Sequence, residues 1–200
     1  MTTMKSIKRI CILVVLCVAT VSSYAQDLTE NYSRAYASFA IGKLKDYSDS
    51  ADKGVQIGYI YGYNITGNNA PLFLQIGAEG NLITSSEDGI RETIMGLAAP
   101  INLSYKLGFS DNLSIEPFAG VNLRYNMMAK LTSDDSDEEL DYFDELDAKH
   151  FQFGINVGAT ININNLSIGY RFNPDMSNFF GFEGIDTKTQ YHFISLGVNF

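Results

Sequence analysis

Residues 151–173, FQFGINVGATININNLSIGYRFN, change character at almost every step. Phe151, Phe153, Ile155, Val157, Ala159 and Ile161 share one parity; Gln152, Gly154, Asn156, Gly158, Thr160 and Asn162 share the other. Successive side chains of a strand point to opposite faces, so this segment reads as a strand with one apolar and one polar wall. Asn164-Asn165 supply a tight turn, after which Leu166, Ile168, Tyr170 and Phe172 carry the apolar parity onward.

The same period extends over the rest of the chain beyond Gln26. Eight segments emerge, at 34–43, 54–65, 71–83, 92–109, 113–127, 151–163, 165–173 and 188–200. Connections 44–53, 84–91, 128–150 and 174–187 read as long and polar, whereas 66–69, 110–112 and 164–165 are short. Helical periodicity is absent, with room for a helix only in the acidic connection. The expected fold is a single all-β domain over 26–200, built from antiparallel hairpins.

The two parities differ in bulk. One is Leu, Ile, Phe and Tyr in every segment and carries no charge; the other is Gly, Asn and Gln with a few ions. A small barrel has little interior volume and a large outer wall. The large apolar side chains therefore belong outside, against lipid. A soluble sandwich would place Lys and Glu on each outer face instead. The segments also reach the 9–11 residues needed to cross a bilayer as tilted strands. The reading is an eight-stranded antiparallel up-and-down transmembrane β-barrel, with short turns periplasmic and long loops outside. It implies that Arg at Ile155 or Leu103 blocks insertion while Arg at the inward Asn156 is tolerated. Pro100 and Pro117 conflict with this scheme, because a closed barrel has no free edge for a missing donor.

Composition narrows the function. The chain has 200 residues, 14 Lys and Arg, 23 Asp and Glu, and a net charge of −9, which excludes an electrostatic nucleic-acid footprint. Lys5, Lys8 and Arg9 precede the apolar run Ile10–Val21, and Ser23-Tyr24-Ala25 offers small residues at −3 and −1 before Gln26. Residues 1–25 therefore read as a cleaved secretory signal peptide. Leu16 occupies the position before Cys17 where a lipoprotein signal needs a small residue. Cys11 and Cys17 are the two cysteines and both leave with this segment, so disulfides, thiolate metal sites and cysteine nucleophiles are not expected.

The stretches LSIEPFAGVNLRYNM (113–127) and FQFGINVGATININNLSIGYRFN (151–173), with the terminal YHFISLGVNF, resemble small outer-membrane β-barrel proteins of Gram-negative bacteria. The group is the porin family with a PorT-like β-barrel domain, similar in shape to OmpX-type barrels. The resemblance spans about residues 30–200. It implies a bacterial outer-membrane location, outer-membrane lipid as surroundings, and the barrel-assembly machinery as partner during insertion. Phe200, Val198, Leu196 and Ile194 match the C-terminal pattern that machinery reads.

Fold of this kind does not fix function. Glu79, Lys106, Glu116, Arg124 and Arg171 lie on the inward parity. Confined opposite charges are expected to pair, Glu116 with Arg124 among them, and to plug the lumen. Nine acids lie between Ser133 and Asp147 without a basic residue. Asp134, Asp135, Asp137, Glu138 and Glu139 are weak divalent-cation candidates, lacking the Gly and distal Glu of a calcium loop. Deleting this loop is expected to cost no strand residue. Phe179, Phe180 and Phe182 in loop 174–187 form an aromatic cluster, either exposed to a partner or packed across the mouth. His150 and His192 sit on different segments, and no nucleophile or phosphate motif occurs, so neither catalysis nor a cofactor is expected. The favoured reading is a barrel that presents loops 128–150 and 174–187 to extracellular partners. A narrow ion or solute path and an outer-leaflet lipid-modifying enzyme are the alternatives.

Overall fold

Alternating sequence becomes strand wherever both walls have somewhere to go, here lipid outside and a polar interior within. The computed structural model describes residues 28–44, 51–67, 69–87, 89–133, 139–146, 148–180 and 187–200. The strands are β1 (Tyr32–Leu44), β2 (Asp52–Asn64), β3 (Leu72–Glu87), β4 (Ile90–Tyr105), β5 (Leu107–Ser110), β6 (Leu113–Ser133), β7 (Glu139–Asp141), β8 (Phe151–Ile163), β9 (Leu166–Pro174) and β10 (Thr189–Asn199). A single helical turn, α1 (Tyr142–Glu145), lies in the acidic connection. β5 continues β4 along the same wall, and β7 is a short ribbon on the end of β6.

Eight staves remain and they close. The ring runs β1-β2-β3-β4-β6-β8-β9-β10 and returns to β1, each pair antiparallel. Arg34 pairs with Asn199 and Leu44 with Thr189 at closure, while Ser33 and Phe200 exchange two 2.9 Å backbone hydrogen bonds. The structure is thus the eight-stranded antiparallel barrel that the alternation implies.

Burial gives the direction of each wall. Ile57 and Leu196 are 70% and 65% exposed, whereas Gln75 and Asn156 on the other parity are 1% and 0%. The apolar wall faces out. Its belt runs from the row Tyr63–Leu74–Leu103 to the row Val55–Leu82–Met95. That is nine residues along β2, enough to cross the hydrocarbon of an outer membrane. Above the belt the wall becomes polar, with Lys53, Thr84 and Thr93 in register.

Two segment boundaries differ from the sequence reading. Connection 84–91 is not a long loop: β3 and β4 stay paired to Glu87 and Ile90, with Gly89 at φ 78° just before β4. Likewise β6 runs on to Ser133. Beyond the lipid the outward face is polar, and on β6 the apolar Ala129 and Leu131 turn to the inside, so the outward apolar parity ends although the ladder continues.

The prolines fall where the ladder lapses. Pairing of β3 with β4 skips between Ile76–Ile101 and Glu79–Ala98, at Pro100. Pro117 lies opposite the break between β4 and β5, where pairing moves from Ser104–Phe118 to Leu107–Ile115. Each missing donor meets an interruption. The expected leader, 1–25, lies outside the described residues.

Candidate functional site

The lumen holds two charged struts. At the short-turn end, Glu116 accepts from Arg34 Nη2 at 2.6 Å, Ser104 Oγ at 2.8 Å, Gln75 Nε2 at 3.0 Å and the Tyr32 hydroxyl. Arg34 also donates to Asn199 and Asn162, and Lys106 Nζ stands 3.8 Å from the centre of the Tyr32 ring. One level up, Glu79 accepts from Arg171 Nη1 at 2.5 Å, from Gln56 Nε2 at 2.9 Å and from the Tyr36 hydroxyl. Arg171 returns a bond to Gln56 and lies over the Phe193 ring.

The geometry of these struts follows from strand order. β1 and β6 are four staves apart in a ring of eight, and so are β3 and β9. Arg34–Glu116 and Glu79–Arg171 therefore span the barrel along two crossed diameters. A third pair, Arg124–Asp175, with Gln152 and Thr189 bound to the same guanidinium, lies toward the long loops. Between these networks lies a cavity of about 30 Å³, lined by Arg34, Tyr36, Gln75, Asn102 and Arg171 among others. That is room for a water or two.

Two charged members of this system escaped the sequence reading. Arg34 sits on the inward parity of its segment, so alternation could have found it. Asp175 lies just past β9, where no alternation remains. The expected Glu116–Arg124 pair does not form: each has another partner. Both residues sit on β6, eight positions apart, about 26 Å at strand rise, so they cannot meet.

The mouth is roofed. Tyr142 of α1 is buried against Phe179 and Phe180, joined by Ile94, Ala129 and Ala148, with Leu131, Leu140, Phe143 and Leu146 around them. Asp141 caps α1 by accepting from the Phe143 amide at 2.9 Å. Lys149 N donates to Phe179 O at 2.8 Å, stitching the two loops. Phe179 and Phe180 are thus packed across the mouth, not exposed, because each loop offers the other its apolar side. Phe182, Asp134, Asp135, Asp137 and Glu138 lie outside the described residues, and Glu139 opens β7. Deleting 133–147 would in fact remove β7, α1 and the end of β6, uncovering both phenylalanines.

Beneath the roof and above the belt, Asp52 and Glu92 turn inward around Ser85. Burial raises the Asp52 carboxyl to about 6, against hydrogen bonds with Tyr191 and Ser85. Burial, then the charge of Asp52, raises Glu92 to about 7, against bonds with Tyr142 and Ser85. The folded mouth holds these protons more tightly than an open chain, so the pair supports closure fully below about pH 4. That support is lost as pH rises through about 7. Amide exchange of 139–146, corrected for its intrinsic rate, should accelerate between pH 5 and 8, and Glu92→Gln should flatten the upper half. A pH-independent corrected rate would contradict this.

The histidines serve aromatic contacts. His150 Nδ1 lies 2.9 Å from Asn126 O with its ring on Phe143, and His192 Nδ1 lies 2.7 Å from the Tyr170 hydroxyl against Phe172. Among the described residues, no group of three or more His, Cys, Asp or Glu is placed to hold a metal. Of the C-terminal residues, Ile194, Leu196 and Phe200 face outward and exposed, and Val198 is half-buried.

Similar folds are known. Neisserial surface protein A is 19% identical, with a TM-score of 0.50 over 84% of this chain and 95% of that one. The outer membrane enzyme PagL is 15% identical, with a TM-score of 0.52 over 82% of this chain and 99% of that one. At such identities the likeness is one of fold. No curated protein matches the sequence. A family model described as the outer membrane protein beta-barrel domain matches residues 11–200. With lipid-facing belt, closed ring and family match in agreement, the chain belongs to the outer membrane protein beta-barrel domain family.

Proposed function

We propose that this barrel is a plugged outer-membrane anchor that presents its two long loops, the acidic 134–150 and the aromatic 175–188, to partners outside the cell. The observation that carries this reading is the pair of crossed struts. They fill the lumen with hydrogen-bonded ions, and the cavity beside them holds about 30 Å³. A conducting path would need an aqueous column in their place. Display also accounts for the packing at the mouth, where a capped helical turn and six buried apolar residues hold 139–146 against Phe179 and Phe180.

A non-enzymatic role fits the chemistry of the two histidines, whose ring contacts are aromatic and whose polar contacts are a backbone carbonyl and a tyrosine. The test is electrical. Purified protein in a planar bilayer should give no steady conductance, and Arg171→Ala should open measurable current by removing one strut. A steady, ion-selective conductance in the unmodified protein would replace display with transport.

A further inference from the structure

The outer wall carries a second, unassigned feature. Just above the belt, on the long-loop side, Lys53, Thr84, Ser86 and Arg91 are exposed on the outward parity of β2, β3 and β4. With Ala51 and Ser85 they line a cleft of about 340 Å³. Lys53 is in register with Thr84, and Ser86 with Arg91, so the two cations and the hydroxyls between them form one polar step. Lys130 extends the level on β6, opposite Thr93, with Asp141 of β7 beside it in register.

Around the cleft the charges divide between the two walls. Asp52 and Glu92, next in sequence to Lys53 and Arg91, turn into the barrel around Ser85, while Lys53 and Arg91 face out. The outward acid at this level among the described residues is Asp141, beside Lys130 and away from the cleft. This happens in a chain with 23 acidic and 14 basic residues, where a random outer patch would be acidic. Directly below lie Val55, Leu82 and Met95, exposed and apolar. A ligand seated here meets cations and hydroxyls at its head and hydrocarbon along its tail.

We infer that this step binds the phosphorylated headgroup of an outer-leaflet lipid, with an acyl chain lying on the Val55–Leu82–Met95 row. Arg91 offers the planar fork that suits phosphate oxygens, Lys53 a point charge, and Thr84 and Ser86 neutral donors. The belt beneath selects a lipid over a free anion, because only a lipid uses both parts. This reading rests on the proposed orientation, with the long loops outside the cell, and requires nothing of what the loops bind or of the lumen.

Native mass spectrometry of the full-length barrel in detergent tests it, with diphosphoryl lipid A as the probe. The protein should retain this lipid at least tenfold more tightly than the same lipid with both phosphates removed. Lys53→Gln combined with Arg91→Gln should erase that preference while the heat-dependent gel shift of the folded barrel persists. Equal retention of the two lipids by the unmodified protein would overturn the inference and needs no variant to decide. Displacement of the lipid by millimolar inorganic phosphate would also overturn it, since the cleft would then be a site for free anions.

Discussion

Replacing Glu116 by alanine should lower the unfolding free energy of the barrel by about 3–5 kcal/mol, the usual penalty for stranding one partner of a buried ion pair. Glu116 is fully buried and accepts from four side chains, so its loss leaves the buried Arg34 guanidinium without its carboxylate. Removing both ends of the strut, Arg34→Met with Glu116→Leu, should cost less than Glu116→Ala alone, because the Arg34 guanidinium is then not left buried without its carboxylate. Urea titration of the protein folded in vesicles, read by the gel shift, measures both. A double variant weaker than the single one would mean that the strut contributes net stability and not only avoidance of an unpaired charge. Arg124 and Glu116, by contrast, should behave additively, since they belong to separate networks.

The second large effect lies on the other wall. Val157 is half-exposed near the middle of the β8 belt, and Val157→Arg should cost about 2–4 kcal/mol and slow insertion. Thr93→Arg, outward and above the belt, should cost far less. Equal losses at the two positions would mean that the belt is misplaced. The inward Asn156 is no longer a permissive control: it is fully buried and bonded to Asn102 at 3.1 Å, so an arginine there would meet packed neighbours. The expectation that a polar wall tolerates bulk fails because this lumen is filled.

Legibility in the sequence tracked the bilayer. Where lipid lies on one side and polar interior on the other, as in 151–173, the parity alone located strands and faces, and all eight staves appeared. Where the outer wall leaves the lipid, as at Thr84–Glu87 or Met128–Ser133, the ladder persisted without an outward apolar pattern to announce it. Alternation also says which wall a charge occupies but not which charge it meets. Partners depend on strand order around the ring, so Glu116 went to Arg34 on the far wall and not to Arg124 on its own strand. Tyr32 and Tyr36 look like any strand aromatics in the sequence, yet their hydroxyls bind the two lumen carboxylates.

The crossed struts carry a consequence for assembly. Their partners lie 82 and 92 positions apart in the chain and on opposite staves. A sheet that has added hairpins one by one, but has not yet joined β1 to β10, holds the four strut charges facing its future inside with their strut partners out of reach. Each such intermediate is penalised, and the penalty is lifted only at the moment of joining. The seam should therefore close in one kinetic step, with no long-lived open sheet detectable between the unfolded chain and the sealed cylinder.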